Sequence, residues 1–442
     1  MFRRSEIQSA AVHDTLRRHI LVDGYPLVVD LEKSRGSLVR DALTGKDLVD
    51  FYAFFASNPL GFNHPGLLDE RTQERLRAVS TVKVANSDKY TTYFAEFVDT
   101  LERTCAPPEL TKYFFVEGGA LAVENALKTA FDWKVRKNIA SGRGERGYDV
   151  LHLEHAFHGR SGYTMSLTNT DPNKVDYFPK FPWPRVPSPM IRFPLSRYEA
   201  EVEAREKATI AAMEAAFDER PHDIAAIIVE PIQSEGGDHH FRASFFKELR
   251  RLADENDALL IYDEVQTGVG ATGKWWCYQH HGVTPDICVF AKKLQVGGIF
   301  VGDRIDEVGN NVFVKPGRIN STWGGGLVDM VRATRILEII VDDDLLTNAA
   351  TRGKELLTGL EKLSERHPIV TNARGQGLLC AIDLPSKETR DAAIKRCFAD
   401  GMLVLACGKS SLRFRPTLNV TQEIIAEGLA RLEAAITEIE KA

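Results

Sequence analysis

Between about residue 110 and residue 300 the chain alternates short, continuously apolar runs with longer amphipathic segments. The runs are KYFFVEGG, DVLHLEHAFHG, IAAIIVEPIQSEGG, ALLIYDEVQTG and DICVFAKK, rich in Val, Ile, Leu and Phe. A strand that is apolar at every position has both faces covered, as in a mainly parallel sheet flanked by helices. Segments such as ALAVENALKTAFDWKVRK and RASFFKELRRLADEND lie between the runs and supply those helices. The alternation predicts an α/β layered domain.

The two ends read differently. Near the C-terminus Ile425, Leu429, Leu432, Ile436 and Ile439 fall on one helical face. Near the N-terminus GSLVRDALTGKDLVDFYAFFASN reads as short strands joined by a turn at Thr44–Lys46. Together the ends are expected to build a smaller α+β domain from residues 1–75 and 325–442, around a large domain over 76–324. A length of 442 residues suits that division.

Composition narrows the function. The formal net charge of −6 argues against a dominant nucleic-acid surface. No apolar run approaches a membrane span, and the opening MFRRSEIQSAAVHDTLRRHI lacks the apolar core of a secretory leader. Cys105, Cys277, Cys288, Cys380, Cys397 and Cys407 make no C-x-x-C pair. Buried free thiols in a reducing cytoplasm are the expectation.

In open α/β sheets ligands bind outside the carboxyl ends of the strands. Here the apolar runs end in Glu117-Gly118-Gly119, in His155-Ala156-Phe157-His158-Gly159, in Glu230 through Gly237, in Asp263-Glu264-Val265-Gln266 and in Lys292-Lys293. A Gly pair opening a helix at Ala120 offers free backbone N–H groups and a positive dipole end, a seat for phosphate. Phe157, in a Gly-flanked loop, suits the face of a flat ring. Asp263 leaves a buried strand and suits a cationic ring nitrogen. Lys292 is expected to be partly buried, which lowers its pKa and makes it an amine nucleophile, while Lys293 is expected to be solvated. This set describes a pyridoxal phosphate site.

Two other signals fail on their own terms. IYDEVQTGVGATGKWW contains G-x-G-x-x-G and G-x-x-x-x-G-K, but Trp275 stands where a nucleotide loop needs Ser or Thr, and no helix follows. In HLEHAFH, His152 and His158 point to one side of a strand and His155 to the other, so the three with Glu154 do not converge on a metal. The pairs His239-His240 and His280-His281 also lack ligand spacing. No metal is expected.

LLIYDEVQTGVGATGKWW, PDICVFAKK, FFVEGGALAVENALKTA, HAFHGRSGYTMSLTNT and STWGGG together resemble the class-III aminotransferases, fold type I enzymes that use pyridoxal 5'-phosphate. The likeness runs from DALTGKDLVD to LRFRPTL. It implies that Lys292 binds the cofactor's aldehyde and that Asp263 pairs with the pyridine nitrogen. Val265 and Phe157 would pack on the two ring faces, with His158 beside Phe157 and Gln266 near the phenolic oxygen. Gly119 and Ala120 would hold the phosphate, helped by Thr322 from the partner subunit of a homodimer. Arg413 would bind a substrate carboxylate and Glu235 would cover that arginine in one half-reaction. Arg160 would hold the second carboxylate or the donor's α-carboxylate, and Asn320 is carried over as a further substrate contact. The implied reaction moves the ε-amino group of L-lysine to 2-oxoglutarate, with ornithine or 4-aminobutyrate as alternative donors. Gly118-Gly119 replaces the family's usual Ser-Gly, and Arg415 adds a second positive charge beside Arg413.

Overall fold

The computed structural model describes residues 6–441. The first five residues of the opening segment MFRRSEIQSAAVHDTLRRHI lie outside them. Two short strands come first, β1 (Leu38–Arg40) and β2 (Asp47–Asp50). The next seven are β3 (Lys112–Val116), β4 (Asp149–Leu153), β5 (Arg185–Val186), β6 (Ile224–Val229), β7 (Leu259–Asp263), β8 (Ile287–Phe290) and β9 (Gly297–Val301). The last five are β10 (Thr371–Gln376), β11 (Leu379–Asp383), β12 (Met402–Leu403), β13 (Leu405–Cys407) and β14 (Ser411–Phe414).

The five apolar runs become β3, β4, β6, β7 and β8. They lie in one seven-stranded sheet of order β3-β9-β8-β7-β6-β4-β5. Strands β5, β4, β6, β7 and β8 run parallel, and β9 pairs antiparallel with both β8 and β3. Every residue of β6, β7 and β8 is buried, as continuous apolarity requires. The helices Gly119–Ala140 and Ala243–Glu255 fall on the segments whose periodicity predicts them.

Both ends of the chain meet in a second sheet. β12 pairs parallel with β2, which pairs antiparallel with β1. A third sheet, β10-β11-β14-β13, is wholly C-terminal. The final helix, Gln422–Lys441, buries Ile425, Leu432 and Ile436, with Leu429 and Ile439 partly buried against the same core. The turn between β1 and β2 lies where expected, with Gly45 at φ +69°. Past β2 the strand reading fails. Ala53, Phe54, Phe55 and Ala56 take φ values of 41°, 51°, 58° and 62°, one left-handed turn built from residues with side chains.

The glycine loop of residues 268–273 serves packing. A Cβ on Gly268 would stand 2.5 Å from the Trp276 ring, and one on Gly273 2.8 Å from Ala350. All six cysteines are free and buried, and among the described residues no helix is long and apolar enough to cross a membrane.

Candidate active site

The carboxyl ends of β4, β6, β7 and β8 open onto one cavity of about 690 Å³. Its walls include Gly119 and Ala120 at a helix start, Phe157, His158 and Arg160 from the loop after β4, and Glu235 from the turn after β6. Asp263, Val265 and Gln266 enter from the end of β7, and Lys292 from the end of β8. Ten residues singled out in the sequence thus share one space. Thr322 and Asn320 do not: both are exposed on a loop outside this chain's own cavity.

Each side chain is held by its surroundings. Gly118 caps the helix Gly119–Ala140 at φ +88°, a conformation that favours glycine, and no side chain occupies the cap. The first N–H groups of a 22-residue helix therefore face the cavity with the dipole's positive end behind them. Asp263 is 5% exposed. Its Oδ1 accepts from Val265 N–H at 3.1 Å and its Oδ2 lies 2.8 Å from His158 Nδ1. His158 is fixed in turn, because its own N–H donates to Thr168 Oγ1. The other two histidines of that run diverge: His152 lies buried beside Arg185, and His155 meets the His239 ring edge-on.

Lys292 sits just past β8 at φ +43°. Burial, reinforced by the positive charge of Arg413, pulls its ammonium pKa from 10.5 down to about 8. The neighbouring lysine departs from expectation. Lys293 is buried, not solvated, and donates to the Gln266 carbonyl at 2.6 Å. That bond ties the β8 end to the β7 end, and burial pushes the Lys293 ammonium well below its usual range.

The two arginines separate by their partners. Arg415 forms a buried ion pair with Asp238, and its Nε donates to Gln266 Oε1 at 3.2 Å. Arg413, on β14, donates from Nη1 to the same oxygen at 3.1 Å, and its buried Nε has no partner. Arg413 is therefore the one with binding capacity left. Glu235 does not meet it here. Its Oε1 is ion-paired with Lys174, and its Oε2 is buried without a partner.

Glu230 was visible only as a strand-end acid. It joins two walls, accepting from Phe157 N–H at 3.0 Å and from Ser234 N–H at 3.1 Å. Burial, with Asp263 nearby, holds its carboxyl well above the usual range. Its position at the end of β6 was the only available signal.

The aminotransferase class-III family model matches residues 21–436. The chain belongs to the class-III aminotransferases. It is 50% identical to an L-lysine-epsilon aminotransferase of Amycolatopsis lactamdurans over 96% of this chain and 95% of that one. A solved lysine aminotransferase from M. tuberculosis superposes with a TM-score of 0.96 at 48% identity, covering 98% of this chain and 100% of the other. Human mitochondrial 4-aminobutyrate aminotransferase is 34% identical over 88% of this chain and 80% of its own. As a class-III aminotransferase the chain is a pyridoxal-phosphate-dependent transferase with the fold type I architecture.

The residues present suit that cofactor. A helix start with no capping side chain would suit its phosphate, and a buried, histidine-braced carboxylate would suit a cationic ring nitrogen. A desolvated amine stands at the same cavity.

Proposed function

We propose that this class-III aminotransferase transfers the ε-amino group of L-lysine to 2-oxoglutarate, giving L-2-aminoadipate 6-semialdehyde and L-glutamate. One observation carries the choice of donor. Relatives named L-lysine-epsilon aminotransferase reach 48 to 50% identity over nearly their whole length, whereas the 4-aminobutyrate relatives reach 36%. The semialdehyde then cyclises by condensation with its own α-amine.

When bound, pyridoxal phosphate supplies an aldehyde that takes up amines and a ring that draws electrons from the carbon losing its proton. The chain's residues do the rest. Backbone N–H groups of Gly119 and Ala120 hold the phosphate. Phe157 and Val265 close the two ring faces and exclude water. Asp263, braced by His158, keeps the ring nitrogen protonated. Gln266 has its side-chain Oε1 engaged by both arginines, so its Nε2 is left for the ring's phenolic oxygen. Lys292 Nζ takes the proton from the substrate's amine-bearing carbon and hands it on, base first and acid second.

Two unlike substrates share this pocket. Lysine presents an alkyl amine and keeps its carboxylate far away; 2-oxoglutarate needs a carboxylate recognised close by. Arg413 meets that carboxylate in a bidentate contact, and Glu235 covers Arg413 when lysine is bound. Arg160 holds the distant carboxylate. In the same reading residues 76–324 carry the cofactor, and 1–75 with 325–442 form the smaller unit that contributes Arg413. The working unit is a homodimer in which Thr322 and Asn320 reach the partner's cavity. Trp323, Val82 and Tyr90 are exposed apolar side chains that such an interface would cover. Six buried free thiols suit a cytoplasmic enzyme.

The test is a donor panel. With 2-oxoglutarate as acceptor, L-lysine should form glutamate with the highest kcat/KM and give a colour with o-aminobenzaldehyde. A higher kcat/KM for ornithine or 4-aminobutyrate would overturn the assignment.

A further inference from the structure

The backbone of Glu235 is pinned. Gly408 N–H donates to its carbonyl at 2.9 Å, and the N–H of Ser234 beside it is taken by Glu230. Its side chain is what can change partners. That side chain pairs with Lys174, which comes from the single helical turn Pro172–Val175. The Lys174 ammonium also lies 5.8 Å from the centroid of the Phe157 ring. Meanwhile Glu235 Oε2 and Arg413 Nε are each buried and unpartnered. An acid and a base, each short of a partner, stand apart while a second cation holds the acid.

We propose that Lys174 is a positioning residue of the substrate switch, docking Glu235 away from Arg413 so that the guanidinium is open to the α-carboxylate of 2-oxoglutarate. The proposal rests on the two-substrate reading of Arg413 and Glu235. A half-buried carboxylate that leaves an arginine must find another counter-ion or bear the cost of desolvation alone. Lys174 supplies that counter-ion at the cavity rim. Its side chain is 27% exposed and that of Glu235 22%, so water screens the pair and keeps it exchangeable. With Lys174 holding the acid the pocket suits 2-oxoglutarate; with Arg413 holding it the pocket suits lysine. Loss of Lys174 removes one side of this balance and favours the closed pair.

The experiment measures both half-reactions on the holoenzyme, for wild type, Lys174→Met, Lys174→Arg, Glu235→Ala and the Lys174→Met/Glu235→Ala double variant. Lys174→Met should raise the KM for 2-oxoglutarate about fivefold, with the KM for lysine unchanged or lower. Lys174→Arg should restore it to within about twofold of wild type. In the Glu235→Ala background Lys174→Met should change neither KM, because the group it positions is gone. An equal rise for both substrates, or a penalty that survives without Glu235, would overturn the proposal. A wild-type protein without lysine-dependent turnover would instead overturn the donor assignment. The glutamate half-reaction would then still decide the role of Lys174.

Discussion

At the scale of single residues, the proposed chemistry turns on the amine at position 292. With its pKa near 8 in place of 10.5, far more of it is neutral, and so nucleophilic, at physiological pH. Adding pyridoxal phosphate to cofactor-free protein should therefore give a binding rate that climbs through about pH 8 and then levels off. A rate still climbing at pH 10 would contradict the desolvated site. Borohydride treatment should fix the cofactor's mass on the peptide carrying Lys292, and a Lys292→Ala variant should show neither label nor turnover. Lys292 was legible because it ends an apolar strand. Lys293 has the same sequence context, yet its nitrogen turns inward to Gln266, a direction that no pattern of residue types encodes. The choice between Arg413 and Arg415 was closed to the sequence for a similar reason. It depends on Asp238, 177 positions before Arg415, having already paired with one of them.

Among elements, the left-handed turn Ala53–Ala56 stands out. Each residue with a side chain costs about 1–2 kcal/mol in that conformation. Asp50, at the end of β2, offsets part of it, its Oδ1 accepting from Tyr52 N–H at 2.9 Å and Ala53 N–H at 2.8 Å. Burial raises the Asp50 carboxyl from 3.8 to about 6. Between those values the folded protein keeps a proton that the unfolded chain has lost, so this group's contribution to stability falls as pH rises across the window. Asp50→Asn keeps an accepting oxygen and removes that slope, so its urea midpoint should gain on wild type between pH 4 and pH 7. Asp50→Ala should lose about 2 kcal/mol at both pH values, since two N–H groups lose their acceptor. A Phe-rich stretch flanked by strand signals reads as extended, and the turn was missed because the adjacent Asp50 carboxylate, by accepting from two N–H groups, overrides that preference. Strand β9 was missed differently. Five apolar runs marked the sheet because burial on both faces excludes polar residues, but apolarity carries no direction, and β9 runs against its neighbours.

For the whole molecule, the exposed positions of Thr322 and Asn320 make the proposed dimer testable. Protomers carrying Lys292→Ala and Thr322→Ala should each be poor enzymes alone. After subunit exchange, half of the dimers are mixed and each restores one intact cavity, so roughly a quarter of wild-type turnover should return. No recovery would mean that Thr322 serves its own protomer or none.

The pairing of β2 with β12 also carries a timing. Val49 finds its strand partner at Met402, roughly 350 residues later in the chain. At ribosomal speeds that is a delay on the order of half a minute. Throughout it the nascent amino end holds Leu48 and Val49 without the strand that completes their sheet, whereas the central sheet has its last strand once Val301 is made, well before Met402. Birth order and assembly order therefore part company: the first segment made is among the last to settle. A truncation just short of position 402 should leave the earliest residues open to protease although they are untouched in sequence.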